Sequence, residues 1–374
     1  LGNGEFLIDP IIKKQGFGQK AYPRSYESAR ELVQSELTQL NEVINLIPDS
    51  MKMDKVVAVV KLSSEFLAKS YTPNTFFREF EFENIGSREW QQENGEIGRM
   101  NFIKFNPDVI NQNMEKLYSV QTDNFKNELR EIEEIDLLST EEKIFMFDDW
   151  SSGRVELILH PYEDETVVLN KLFDLLNLDA QDSQHIRVKA YEKGPIFVSI
   201  KLNKQDIDLI KEFNPLRSAH PMKVSVNSFS EESVMLEAKL PDTNKPVLKK
   251  VGVIDGGVNL EHPFFCDKVT QQFQVTSRTN DYFGDHGTAV AGLILYGDLN
   301  NYGSGPVEGS NLGIESIRVF PTSDQQDIDL YECIDLIEEA IPLLPEIDVF
   351  NISIGPIGFI FDEDISRFTF AMDK

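Results

Sequence analysis

Two short segments of this chain put a carboxylate and an imidazole where they could share a proton. Asp255-Gly256-Gly257 follows the apolar run Val251-Gly252-Val253-Ile254. Such a run reads as a buried strand of a parallel sheet. Sites in open α/β sheets gather at the C-terminal ends of such strands. A carboxylate at that edge can orient an imidazole and offset the charge it gains when it acts as a base. Taken alone the segment reads more simply as an ordinary Asp-Gly turn, because such turns are very common. The imidazole comes 31 residues on, in Asp285-His286-Gly287-Thr288-Ala289-Val290-Ala291-Gly292. Small residues after His286 suit a helix packed tightly on a sheet with the ring left accessible. The competing reading is a surface histidine ahead of a core helix.

The elements that must position this pair begin near Lys249. From there strands, helices and Gly-rich turns alternate, which predicts a parallel α/β sheet. Upstream, residues 154–222 read as β-α-β-β-α-β, the ferredoxin-like order. Strands are expected at Val155–Leu159, Ile186–Ala190, Ile196–Ile200 and Leu216–Ala219, with helices built on Leu169–Leu176 and Ile207–Phe213. Nearer the start, Ala29, Leu32, Val33, Leu37, Leu40, Val43, Ile44 and Ile47 recur at helical spacing after Ser25, a candidate N-cap, and Pro48 ends the run. Residues 55–60 read as a strand, 66–68 and 76–77 as helical pieces, and 101–105 as a returning strand. Residues 107–147 read as helical and acidic, with the run 128–136 a solvated helix face and Ser139 with Glu142 a capping box. The domains expected are therefore 1–150, an α+β region; 151–222, the ferredoxin-like unit; 223–248, a linker; and 249–374, the α/β portion.

The motifs from Asp255 onward resemble the subtilase family of serine proteases, in the family's own order. Asp255-Gly256-Gly257-Val258 through His262-Pro263 is similar to its aspartate segment, and His286-Gly287-Thr288 with Val290-Ala291-Gly292 to its histidine segment. Residues 306–312 and Ile317-Arg318-Val319 resemble the stretch that follows. Asp348-Val349-Phe350-Asn351-Ile352-Ser353-Ile354-Gly355 resembles the strand and Ser-x-Gly lining the substrate cleft. The resemblance implies a partial subtilisin-like sheet flanked by helices. It implies His286 as general base and then acid, and Asp255 as the group that orients it. Ser353, Ile354 and Gly355 become substrate-binding residues presenting backbone to an extended peptide, and residues 323–327 the opposite cleft wall. The family's Gly-Thr-Ser-x-Ala nucleophile segment and its oxyanion asparagine have no counterpart here. The nucleophile is therefore expected beyond Lys374, in a serine endopeptidase of which this stretch alone is inactive. The final residues 368–374 read as a helix just beginning, which is expected of a fragment of a longer polypeptide, and the absence of an initial Met leaves room for residues upstream. The alternative is a pseudoprotease, or a truncated binding and regulatory module without catalysis.

Residues 154–222 resemble, in order and position, the propeptide that precedes many subtilase domains as folding aid and inhibitor. The segments Phe17-Gly18-Gln19-Lys20, Pro23-Arg24-Ser25-Tyr26 and Leu67-Ala68-Lys69-Ser70-Tyr71 resemble large bacterial intracellular subtilases paired with an AAA-type ATPase in defence. That implies an ATPase partner and a cytoplasmic setting.

Composition sets the remaining bounds. With 36 Lys+Arg against 63 Asp+Glu the net charge is −27, which repels phosphate and argues against nucleic acid and anionic lipid as partners. At 41% hydrophobic, with 26 Phe, there is material for real cores. No apolar stretch approaches the ~18 residues of a membrane helix, and no signal peptide opens the sequence. Cys266 and Cys333 make no disulfide framework and suit a reducing compartment. His160, His185 and His220 lack metal spacing. No loop is dense enough in carboxylates to assign calcium, so no cofactor is expected.

Overall fold

The computed structural model describes residues 21–91, 95–178, 186–225, 239–242, 244–274, 281–302, 305–320, 329–357 and 365–373. It divides into two compact units, one of residues 1–48 and 54–137, the other of residues 49–53 and 138–374. The segments Phe17-Gly18-Gln19-Lys20 and 323–327 lie outside the described residues, as does His185.

The first unit opens with α1 (Tyr26–Leu46), whose N-cap Ser25 accepts the Ser28 N–H and whose apolar stripe Ala29, Val33, Leu37, Leu40 and Ile44 is buried. The chain continues through β1 (Val56–Leu62), α2 (Asn74–Phe80), β2 (Glu83–Gln91), β3 (Ile97–Phe105), α3 (Asp108–Asn113), α4 (Lys116–Ser119), α5 (Asp123–Glu131) and β4 (Ile132–Asp136). The sheet runs β2-β3-β1-β4, with its pairs antiparallel. Alternate residues of β1 (Val56, Ala58, Val60, Leu62) join the α1 stripe and Phe66, Phe76, Phe80 and Phe125 in one core. Each fully buried side chain of this size stabilises the fold by roughly 1.5–3 kcal/mol.

The acidic run 128–136 is not a single solvated helix face. The helix ends at Glu131, and Ile132–Asp136 pairs antiparallel with β1, with Lys61 Nζ 3.1 Å from Glu134. Ile132 and Ile135 bury in the core, and strand pairing outweighs the modest helical bias of the glutamates. Glu128 turns inward and accepts the N–H groups of Thr75 and Phe76 at the start of α2. Ser139 and Glu142 form reciprocal capping-box bonds, but on a turn.

In the second unit, β5 (Ser152–Leu159), α6 (Glu165–Leu175), β6 (Arg187–Ala190), β7 (Ile196–Asn203), α7 (Lys204–Ile210) and β8 (Leu216–Pro221) follow in β-α-β-β-α-β order. Their sheet is antiparallel, ordered β6-β7-β5-β8. Val155, Leu157 and Leu159 point to the helices and share a core with Val168, Leu172, Ile207 and Ile210. A short strand β9 (Lys223–Ser225) follows directly.

The rest of this unit contains β10 (Lys249–Asp255), β11 (Val269–Gln274), α8 (Asp281–Tyr296), β12 (Leu312–Arg318), α9 (Leu330–Ala340), β13 (Val349–Ile352), β14 (Gly355–Ile357) and α10 (Arg367–Asp373). Strands β11-β12-β10-β13 form a parallel sheet. Successive residues of β10 serve opposite faces. Val253 packs with Phe265, Ala291 and Leu295 of the α8 side; Ile254 packs with Cys333, Ile337 and Ala340 of α9. This is an α/β sheet covered on both faces, as the alternating sequence texture requires.

Candidate active site

Strand β10 delivers Asp255 to its C-terminal end, where the side chain is fully buried. One carboxylate oxygen accepts the Gly256 N–H at 2.7 Å. The other lies 2.7 Å from Nδ1 of His286. An ionised carboxylate can only accept, so Nδ1 carries the proton toward Asp255 and Nε2 carries the ring's lone pair. Burial pushes the Asp255 carboxyl above its ordinary value, against the opposing pull of the Gly256 N–H and His286. The imidazole is mostly sheltered, its side chain 14% exposed.

His286 sits in the second turn of α8 rather than at its first residue. What brings it to Asp255 is the residue after it. A Cβ on Gly287 would lie 2.2 Å from the Gly257 carbonyl oxygen and 3.1 Å from Asp255 Cβ. Only glycine lets the helix approach the β10 loop this closely. Gly257 itself has φ 109°, in the region favouring glycine. Thr288 ties the same loop to the helix, since its hydroxyl accepts the Asn259 N–H at 2.8 Å and donates back to the Gly284 carbonyl. His262, further along the same loop, packs its ring at a tilt against Phe264 and Phe265.

The register of β10 with β13 ends at Ile254 opposite Ile352, so Ser353 follows at the same sheet edge as Asp255. Its exposed hydroxyl donates to Asn351 Oδ1 at 2.6 Å rather than turning to His286. Ile354 is buried with the α9-side core. Gly355 opens β14, which pairs antiparallel with β9: Gly355 opposite Ser225, Pro356 opposite Val224, Ile357 opposite Lys223. An extended segment thus lies along the strand that follows Ser353, an arrangement that the polar sequence of β9 does not announce. The structure therefore joins Asp255 and His286 directly, and sets Ser353, Ile354 and Gly355 on the neighbouring strand end. Arg318 is an unforeseen neighbour: it pairs in register with Asp255, packs its side chain under Gly257 and donates Nε to the Phe320 carbonyl. Its signal was its place, one strand over at the same edge.

Among the described residues no group of three or more His, Cys, Asp or Glu is arranged to hold a metal ion, and no helix is long and apolar enough to cross a membrane.

Residues 249–374, which contain Asp255, His286 and Ser353 to Gly355, match the sequence model of the Subtilase family. No curated protein matches the chain. Among solved structures, the small subunit of acetolactate synthase from Thermotoga maritima aligns over 45% of this chain and 92% of its own, at 10% identity and a TM-score of 0.17. A likeness that low carries no structural argument.

Proposed function

With residues 249–374 subtilase-like at the level of family, we propose that they supply the acid–base half of a serine endopeptidase. The observation that carries this is the 2.7 Å contact between buried Asp255 and His286 Nδ1. A serine hydroxyl supplied from beyond Lys374 attacks the scissile carbonyl. As its Oγ–C bond forms, its proton passes to His286 Nε2. The imidazolium so formed is offset by Asp255, and it returns the proton to the leaving amine nitrogen as the C–N bond breaks. Water repeats the cycle to release the acyl group, its proton again going to Nε2. Asp255 contributes on the order of 10⁴ in kcat to such a triad, mainly by fixing the tautomer.

Ser353 to Gly355 and β14 act in this reading as the edge that receives a substrate as an added strand. The antiparallel pairing of β9 with β14 supports it, because a segment of the chain already lies there as a peptide would. We read residues 152–221 as a ferredoxin-like, propeptide-like unit that holds β9 in place and keeps the edge occupied until it is displaced. Residues 1–150 serve as a regulatory or docking region in the same reading. The AAA-type ATPase partner and the defence role rest on the sequence resemblance. Two of the described motif residues help build the first unit: Tyr71 packs edge-on against Phe66, and Arg24 pairs with Glu133 at 2.7 Å. Co-purification of the native gene product with an ATPase tests that partner. The buried thiol of Cys333 fits a reducing, cytoplasmic setting.

Fluorophosphonate labelling of the native gene product tests the enzymatic reading. The expected result is labelling of a serine beyond Lys374 that disappears in His286→Ala. Labelling that survives the substitution unchanged overturns it.

A further inference from the structure

The sheet of residues 152–221 uses one face for its own helices and the other for the peptidase half. On that second face Ile158, Tyr191, Phe197 and Met222 pack with Leu330, Tyr331 and Ile334 of α9 and with Phe370 of α10. Apolar packing of this kind is strong but accepts any surface of similar shape. Discrimination requires groups that are costly to leave unmatched.

One such group stands out. Asp329 is the N-cap of α9, accepting the Tyr331 N–H at 3.0 Å. The same carboxylate accepts Arg154 Nη1 at 3.2 Å and Arg187 Nε at 2.9 Å, and the Ser199 hydroxyl at 3.4 Å. The Arg154 and Asp329 side chains are each only 6% exposed. Further along, Arg187 reaches Glu332 at 3.0 Å and Lys189 reaches Glu338 at 3.0 Å, but these pairs are partly exposed and weaker for it. From the other side, Glu156 of β5 accepts the Tyr331 hydroxyl at 2.7 Å and the Arg367 N–H at 3.1 Å.

We propose that Asp329 is the specificity determinant of this interface: the peptidase half accepts a β-sheet face that presents two guanidinium groups to one buried carboxylate, and residues 152–221 of this chain are that occupant. A sheet face without the two arginines leaves Asp329 desolvated and uncompensated, which is where breaking a buried pair is most costly. Because β9 follows β8 directly, correct seating also sets the strand that pairs with β14. The docking inference stands on the contacts alone. Its consequence for the peptide edge rests on the function proposed above.

Amide hydrogen exchange on the whole chain tests it without any catalytic readout. Asp329→Asn keeps an N-cap residue on α9 but removes the charge. The Arg367 amide, bonded to Glu156, and the β9–β14 amides are expected to exchange about a hundredfold faster or more, while the amides of Cys333, Ile334 and Ile337 within α9 keep their protection. Arg154→Met is expected to give the same pattern. Asp329→Leu combined with Arg154→Met replaces the pair by apolar side chains and is expected to restore protection well beyond what either single change leaves. Unchanged exchange in Asp329→Asn, or additive effects in the double variant, overturns the inference. That failure would leave the labelling result untouched, and a failed labelling result would leave the docking result untouched.

Discussion

Gly287→Ala isolates the requirement that lets His286 reach Asp255. The new Cβ would stand 2.2 Å from the Gly257 carbonyl oxygen, whereas the near limit of a C–H···O contact is roughly 3.3 Å. Helix and loop must therefore part by about 1 Å, the difference between those two distances. Both colliding atoms belong to or sit beside backbone, so no side chain can swing away. The push acts one residue from His286 and two from Asp255, and it stretches their 2.7 Å bond to roughly 3.7 Å, past hydrogen-bonding distance. Two energies compete. Alanine in a helix gains up to about 1 kcal/mol over glycine; overpacking costs about 1–3 kcal/mol. The expected balance is a net loss of up to about 2 kcal/mol in denaturant unfolding, with disappearance of the downfield Nδ1 proton of His286 in NMR spectra. Gly292→Ala is the control on the same helix, because its Cβ would meet only Phe265 at 3.9 Å. It should gain about 0.5–1 kcal/mol and leave the resonance intact. A Gly287→Ala protein as stable as the parent, with the Nδ1 proton retained, would refute the reasoning.

Asp255→Asn should stabilise the chain at neutral pH. Burial raises the folded carboxyl above its unfolded value, so ionisation costs stability, and that cost appears as pH rises from the ordinary carboxylate range through the folded value. The advantage of the variant should grow over that window in pH-dependent unfolding and then level off; an advantage that shrinks with pH contradicts the assignment. Glu128→Ala should cost about 0.5–2 kcal/mol in thermal or denaturant unfolding, because Thr75 and Phe76 lose their acceptor at the start of α2; no change would show that those bonds contribute nothing net. Cys333 is buried, and burial pushes its thiol well up. It should resist iodoacetamide in the native chain and react after denaturation, as read by mass spectrometry; native modification at Cys333 would contradict the burial.

The parts of the fold that were legible in the sequence are those whose signal is local. The α1 stripe and its Ser25 cap repeat at helical spacing, and β1 is a run of apolar and β-branched residues. Asp255 and His286 could be singled out because each lies in a short segment whose neighbours, above all Gly257 and Gly287, are dictated by the close approach of loop and helix. What escaped was set by distant partners. Strand β2 is a polar edge strand defined only by its pairing with β3. Strand β4 carries three acids in five residues and is a strand because β1 lies beside it. Within the second unit, the Asp329 carboxylate finds Arg154 175 residues away. Nothing near Asp329 in the chain distinguishes it from any other helix cap.

The imidazole tautomer of His286 is the measurement that bears most directly on the proposed chemistry. Nitrogen-15 NMR of the histidine ring in this chain should show the neutral ring protonated at Nδ1, toward Asp255, with Nε2 as the basic nitrogen, and Asp255→Asn should disturb that preference. A ring protonated at Nε2, with Nδ1 bare, would mean that Asp255 does not accept its proton and that His286 is not held as a base.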